Sequence, residues 1–490
     1  MTPLQVVEAL LPLINRDVES PTEYSKAWLD IHVDEVLAAA RASTERWAQG
    51  KPIGVLDGVP FGVKADCDVK GYVNTMGMKV RDGYDYFARP CERSLWPVEK
   101  LEEAGAVMVG KMNQHEIGMD TTGCNPSTGT PVNWYNKAYY PGGSSSGAGS
   151  SLGAGLVPLC VGTDAGGSIR IPPAVAGQYS IKTSHNRTTV MNSSMCIVGP
   201  MASNVADLKI AYRLMAHQPD PADPVTGLFA PSRVPKGDGN EKRYLGLCRP
   251  WISRSSPEVL GFFDRAVEHY TKTLGYEAVD IDLPLLREGQ IAHGATCLAE
   301  AADAARDRGG SQGAHGGAAR AGQHWLDLLS PANQVMTAVG AQTAANDYMK
   351  FAQVRAAIMA HLAHLFERHP GLLVVTPTLP DVGYARHPAD EPYGLTDGNR
   401  SLRSMTYAWL ANTSGCPAAT VPVGYAEAER GEGRLPVGML AMGMWGDEER
   451  LLAWAAEGEE YIRGVYPGGR LKPAGWVDVI GLAKEKAKGV

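Results

Sequence analysis

The run GGSSSGAGSSLGAG at 142–155 contains no side chain larger than one leucine, and this limits what the chain around it can build. Two structures suit such a composition: a flexible glycine–serine linker, or a helix of small residues packed close against a sheet. The flanking segments discriminate between them. PVNWYNKAYYP before the run and LVPLCVG after it are aromatic and apolar, unlike a linker. The run is therefore expected to be buried and structural.

The rest of the chain alternates between helical and short apolar patterns. Thr2 and Pro3 followed by LQVVEALLPLI read as a cap, a first-turn proline and an apolar helix face, and a second helix is expected over about 31–48. VLDGVPFGVKAD supplies β-branched pieces broken by glycine and proline. LWPVEKLEEAG and AVMVGK then read as a helix followed by a strand. Further strands are expected in LVPLCVG at 156–162 and LLVVTPTLP at 372–380. GRLPVGMLAMGMWGDEERLLAWAAEGEEYI gives a strand, a loop, a cap at Asp447 and a helix. The strands are too apolar to have a wet face, which argues for an α/β layer architecture. The segment 304–323 reads as a surface loop, and about 220–360 carries little motif information. With 490 residues, the chain suits one unusually large domain or two intimately packed ones.

Several function classes are disfavoured. The 46 Lys and Arg against 53 Asp and Glu give a net charge of −7 with no basic block, so no nucleic-acid surface is expected. The eight cysteines stand singly with no CxxC, as reduced intracellular thiols do, and close zinc-ligand pairs are missing. No GxxxxGK[ST] or convincing dinucleotide fingerprint is present, so no nucleotide cofactor is expected. No signal peptide is apparent, and no apolar run is long enough to span a membrane. Cytoplasmic localisation is expected by elimination.

The most informative segment for chemistry is GTDAGGSIR at 162–170. Two glycines before Ser168 let the backbone bend sharply and approach a ligand. Successive N–H groups at such a turn can meet a developing oxyanion. On its own, GGS fits a plain glycine turn or a phosphate-binding nest equally well. A serine nucleophile also needs a base. Lys64 lies among mostly apolar residues in GVPFGVKAD, where desolvation would favour the neutral amine, although a snorkelling surface lysine has the same sequence signature. His115 in KMNQHEIGMD reads as a structural or pocket-lining imidazole.

These segments together resemble the amidase signature family of Ser–cis-Ser–Lys hydrolases. The resemblance is carried by GVPFGVKADCDVKG at 58–71, GGSSSG at 142–147 and GTDAGGSIRIPPAVAGQYSIKTS at 162–184. Ser144 and Ser168 are 24 residues apart, as in that family. VGPMASNVADL at 198–208, VVTPTLP at 374–380, GCPAATVPVG at 415–424 and GRLPVGMLAMG with the following DEE at 433–449 agree. The resemblance implies a single α/β domain with a large twisted mixed sheet flanked by helices. Within it, a signature core at about 54–213, a variable substrate-pocket region at about 220–360 and a core return at about 371–463 are expected.

The resemblance also assigns roles. Ser168 resembles the nucleophile, Ser144 the bridging serine after a cis peptide bond, and Lys64 the base. The N–H groups of Ala165, Gly166, Gly167 and Ser168 match the oxyanion hole. Ser145, Thr163, Asp164 and Arg170 match the hydrogen-bonding set behind it. No metal or cofactor is implied. Ala65 departs from the pattern, standing where an acid commonly follows the base, as do Ser203 and SHNR at 184–187. The implied activity is hydrolysis of a small or aryl/alkyl carboxylic amide, by a monomer or homodimer. Alternatives within the family are a fatty-acid-amide hydrolase, hinted at by GGSSSG, and the glutamine-hydrolysing subunit of a tRNA-dependent amidotransferase. A catalytically silent scaffold is the alternative from another class.

Overall fold

Alternate residues of one strand enter two different cores. In β4 (Leu159–Asp164), Leu159 and Val161 join one apolar cluster while Cys160 joins another. The apolar run without polar alternation thus reflects a strand covered on both faces. The computed structural model describes residues 1–82, 84–191, 193–216, 232, 242–308, 325–395 and 397–488.

Besides β4, the strands are β1 (Trp28–Asp30), β2 (Pro60–Lys64), β3 (Val107–Met112), β5 (Tyr179–Lys182), β6 (Ile197–Ala202), β7 (Tyr244–Leu247), β8 (Glu277–Asp280), β9 (Leu372–Pro377), β10 (Ala418–Glu427) and β11 (Arg434–Met442). Among the described residues they form one 11-stranded sheet in the order β1-β3-β2-β4-β6-β5-β10-β11-β9-β7-β8. β2 runs parallel to both β3 and β4, and β7 runs parallel to β8 and β9, while the other pairings are antiparallel. The chain is a single α/β domain with this mixed sheet at its centre.

One face carries a continuous cluster from Phe61 and Val63 across to Leu245 and Leu373, covered by helices Trp96–Glu103, Val205–Met215, Pro257–Lys272 and Glu448–Val465. Two clusters cover the other face. Helices Pro3–Ile14 and Ser146–Gly153 belong to the first, and helix Ala345–Arg368 with Trp251 and Trp409 belongs to the second.

Every residue of Ser146–Gly153 is buried, as the small-residue run implied. Thr2 accepts from the Gln5 N–H and its own N–H meets the Gln5 side chain, completing a capping box ahead of Pro3. Asp447 stands at the expected helix start but makes no side-chain cap; it pairs with Arg450 instead, at 3.6 Å.

One expectation is corrected, and one strand lies outside those read from sequence: β8 is largely exposed, an edge strand whose Glu277 and Asp280 discourage further pairing. Residues 304–308 belong to helix Leu286–Arg308 rather than to a loop, and 309–323 lie outside the described residues. Among the described residues, no helix is long and apolar enough to cross a membrane.

Candidate active site

Lys64 ends β2 and Asp164 ends its parallel neighbour β4, which puts both at the same edge of the sheet. The carboxyl ends of parallel strands are where α/β folds place ligands. Ser144 arrives from the segment leading into helix Ser146–Gly153, and the Gly143–Ser144 peptide is cis. The N–H groups of His115 and Ser146 donate to the Ser144 carbonyl at 2.9 and 2.8 Å. Position 143 admits no side chain, because a Cβ there would stand 2.6 Å from Gly123 N and 2.8 Å from Asp120 O.

Three side chains form one hydrogen-bonded chain. Lys64 Nζ lies 2.8 Å from Ser144 Oγ, and Ser144 Oγ lies 2.9 Å from Ser168 Oγ. All three residues are buried, with Ser168 5% exposed. A branch leaves the lysine on its other side. Lys64 Nζ donates to Thr163 Oγ1 at 2.6 Å, and that hydroxyl donates to Asp66 Oδ2 at 2.7 Å. The Asp66 carboxylate also lies 3.1 Å from Lys64 Nζ.

The sequence motifs do not single out Asp66. The alanine at 65 implied a change of charge beside the lysine, and the next residue restores a carboxylate there. A turn closed by the Cys67 N–H on the Lys64 carbonyl, 3.0 Å, brings Asp66 back toward the lysine.

Loop 164–168 is tied down peptide by peptide. The Asp164 carboxylate accepts from the Gly167 N–H at 2.7 Å and the Ile169 N–H at 3.1 Å, and it forms a two-point pair with Arg170, 2.9 Å at each contact. Arg170 continues to Ala408 O at 2.8 Å and Asn412 Oδ1 at 2.6 Å. Burial pushes the Asp164 carboxyl up, but the Arg170 guanidinium and the Asn412 amide overcome this and hold it well below the usual carboxylate range.

The carbonyls of the loop turn outward to named donors. Asp164 O receives Asn412 Nδ2 at 2.9 Å, Ala165 O lies 2.7 Å from His293 Nε2, and Gly167 O receives the N–H groups of Arg170 and Ile171 at 2.8 and 2.7 Å. Among the described residues, the N–H groups of Ala165, Gly166 and Ser168 donate to no protein acceptor. These three amides, at or near Ser168 in the chain, keep their capacity to donate.

Two assignments from the resemblance need correction. The Gly167 N–H is already committed to Asp164, so three of the four expected backbone donors are free. Ser145 Oγ is buried with no hydrogen-bond partner; it packs over β4, where a Cβ at Gly162 would meet it at 2.9 Å. Thr163 links Lys64 to Asp66, and Asp164 pairs with Arg170. His115 contributes its backbone N–H, and its ring Nδ1 lies 3.3 Å from Glu116 O. Buried Cys124 directs its thiol to Asp390 O at 3.6 Å. Asn412 and His293 escaped sequence reasoning because nothing in their local sequence records a contact to a loop more than a hundred residues away.

Among the described residues, no group of three or more His, Cys, Asp or Glu is arranged to hold a metal ion. Fold and site together define an α/β protein with a buried lysine–serine–serine chain at the ends of its parallel strands. The amidase family model matches residues 9–452, and the chain belongs to the amidase signature family, whose members are hydrolases. It is 29% identical to a fatty acid amide hydrolase of Medicago truncatula, over 98% of this chain and 76% of the relative. It is 30% identical to a glutamyl-tRNA(Gln) amidotransferase subunit of Chloroflexus aurantiacus, over 92% of each. A bacterial aryl acylamidase structure shares the fold at TM-score 0.75 and 22% identity, with 99% of this chain and 95% of that one covered.

Proposed function

We propose that the protein hydrolyses a small or aryl/alkyl carboxylic amide through an acyl-Ser168 intermediate, with Lys64 as the base and Ser144 as the proton relay. The observation that carries this reading is the unbroken path of 2.8 and 2.9 Å from Lys64 Nζ through Ser144 Oγ to Ser168 Oγ. Each hydroxyl both donates and accepts, so the direction of the path reverses when Lys64 gives up its proton. Neutral Lys64 then draws a proton through Ser144 as Ser168 Oγ attacks the amide carbon. The carbonyl oxygen, becoming an oxyanion, is received by the N–H groups of Ala165, Gly166 and Ser168. The Asp66 carboxylate, 3.1 Å away, balances the ammonium that forms at Lys64. Run in the opposite sense, the relay protonates the departing nitrogen, and water then releases the acid from Ser168 by the same route.

Substrate preference is assigned to the region about 220–360, whose helix Leu286–Arg308 brings His293 and Cys297 against Ala165. Met405 joins them, since a Cβ at Gly166 would lie 2.9 Å from its sulfur. These side chains pack behind the loop, so the region reaches the site through the backbone beside Ser168. A second reading, a fatty-acid-amide hydrolase, is favoured by the Medicago relative that aligns over 98% of the chain. Amine or ammonia release from a panel of anilides, short aliphatic amides, long-chain N-acyl amides and glutamine tests both readings. Anilides and short amides are expected to be the best substrates. Preferential turnover of long acyl chains supports the second reading, and turnover of glutamine alone overturns both.

A further inference from the structure

We infer that His293 is a positioning residue for acyl transfer: it turns the Ala165–Gly166 peptide so that the Gly166 N–H faces the reacting carbonyl oxygen. The inference rests on the acyl-Ser168 reading proposed above.

In a trans peptide the C=O and the following N–H point in opposite directions. The only cis peptide among the described residues is Gly143–Ser144, so the 164–168 peptides are trans. The three free amides, Ala165, Gly166 and Ser168, therefore belong to peptides whose carbonyls are those of Asp164, Ala165 and Gly167. Each of these carbonyls is held from behind by a different donor: Asn412, His293, and the N–H groups of Arg170 and Ile171. The fourth peptide has its N–H, that of Gly167, taken by the Asp164 carboxylate. An anchor on the carbonyl side thus accompanies every free amide, and for Gly166 that anchor is a side chain from the motif-poor part of the chain.

The chemistry at Ala165 O fixes the proton on the imidazole. A carbonyl oxygen only accepts, so Nε2 at 2.7 Å is the donor. His293 is buried at 1% exposure, and its Nδ1 has no hydrogen-bond partner. Burial also pushes this imidazole below its ordinary value, as suits a neutral ring with one N–H. The thiol of Cys297, one turn further along the helix, lies 3.6 Å from Nε2 and 4.0 Å from Ala165 O, closing the space behind the peptide. A Cβ at position 166 would meet His293 Cε1 at 3.0 Å and Met405 Sδ at 2.9 Å, so the loop is pressed against these side chains. Without the Nε2 donor, the Ala165–Gly166 peptide is free to rotate, and rotation would bring a carbonyl lone pair to the position where negative charge develops.

An anchor of this kind differs from the relay in a way that kinetics can separate. Oxyanion stabilisation serves amides and esters alike, whereas leaving-group protonation serves amides. The test compares wild type, His293→Phe, which keeps a ring but loses the donor, and His293→Gln, which keeps an N–H donor. His293→Leu repeats the donor-free case with a smaller side chain in case the phenyl ring disturbs packing. The readouts are kcat and KM on an anilide and an activated ester with the same acyl group, inhibition by a trifluoromethyl ketone, and labelling of Ser168 by a fluorophosphonate. The donor-free variants are expected to lose about 10- to 100-fold in kcat on both substrates, at or below the cost of deleting an oxyanion donor outright. Their KM and amide-to-ester ratio should stay near wild type, the ketone should weaken by the same factor as kcat/KM, and His293→Gln should recover most of the loss. Wild-type kcat in a folded donor-free variant, loss on the amide alone, or a folded His293→Gln as impaired as His293→Phe would each overturn the inference while leaving the acyl-serine reading intact. Wild type that is neither active nor labelled at Ser168 would overturn both.

Discussion

The relay and the loop that faces it are assembled in opposite ways. Lys64, Asp66, Ser144, Thr163 and Ser168 all come from a stretch of little more than a hundred residues, on or beside the adjacent strands β2 and β4. Loop 164–168 is held locally at Gly167 but takes its other anchors from far along the chain: Asn412 and Ala408 through Asp164 and Arg170, and His293 through Ala165. Proton transfer needs a few short, direct contacts, which neighbouring strands supply. Stabilising a developing charge needs backbone dipoles that do not reorganise, and here these are fixed by long-range closure of the fold.

The largest expected effect strikes both halves at once. Ser168→Ala removes the atom on which relay and loop converge, so amide and ester turnover should fall on the order of 10⁶-fold, with fluorophosphonate labelling abolished. Labelling at another serine would place the nucleophile elsewhere.

Next comes Asp164, which supports the loop and has no contact with the relay lysine. Asp164→Asn leaves the Arg170 guanidinium buried without its counter-charge, and breaking such a pair costs about 3–5 kcal/mol, measurable by denaturant unfolding. The pH dependence has a definite sign. Because the folded carboxyl titrates below the unfolded value of about 3.9, its stabilisation is complete above roughly pH 4 and is lost as the pH falls further. Asp164→Asn should therefore flatten the acid limb of the stability curve. An unchanged acid limb would mean that the pair does not hold the loop.

The smallest effect is expected at Ser145. Its hydroxyl is buried but unpaired, so Ser145→Ala removes an unsatisfied polar group and should neither destabilise the fold nor change amide kcat by more than about 3-fold. A larger loss would return Ser145 to the hydrogen-bonding set in which the family resemblance had placed it.

What the sequence disclosed follows the same division. The small-residue helix, the capped helix at Pro3–Ile14 and most of the core strands could be read from local pattern. The motifs also named Lys64, Ser144 and Ser168, because these residues lie in short segments whose spacing is kept by adjacent strands. Asp66 was hidden because its approach to Lys64 depends on the turn closed at Cys67, not on a change of residue type. The commitment of the Gly167 N–H to Asp164 depends on backbone direction, which glycine leaves open. His293 was hidden because it lies on a helix with a weak amphipathic pattern and no motif, and only the folded chain brings it to Ala165.

The central claim is that Lys64 acts on Ser168 through Ser144, and the most direct measurement is the ratio of amide to activated-ester turnover in wild type, Lys64→Ala and Ser144→Ala. Each variant should lose about 10²- to 10⁴-fold on the amide, the range for a positioned acid–base group. The loss on the activated ester should be much smaller, because its leaving group departs without a proton, so the ratio should collapse in both variants. Equal losses on both substrates, or wild-type amide turnover in Lys64→Ala, would contradict the account.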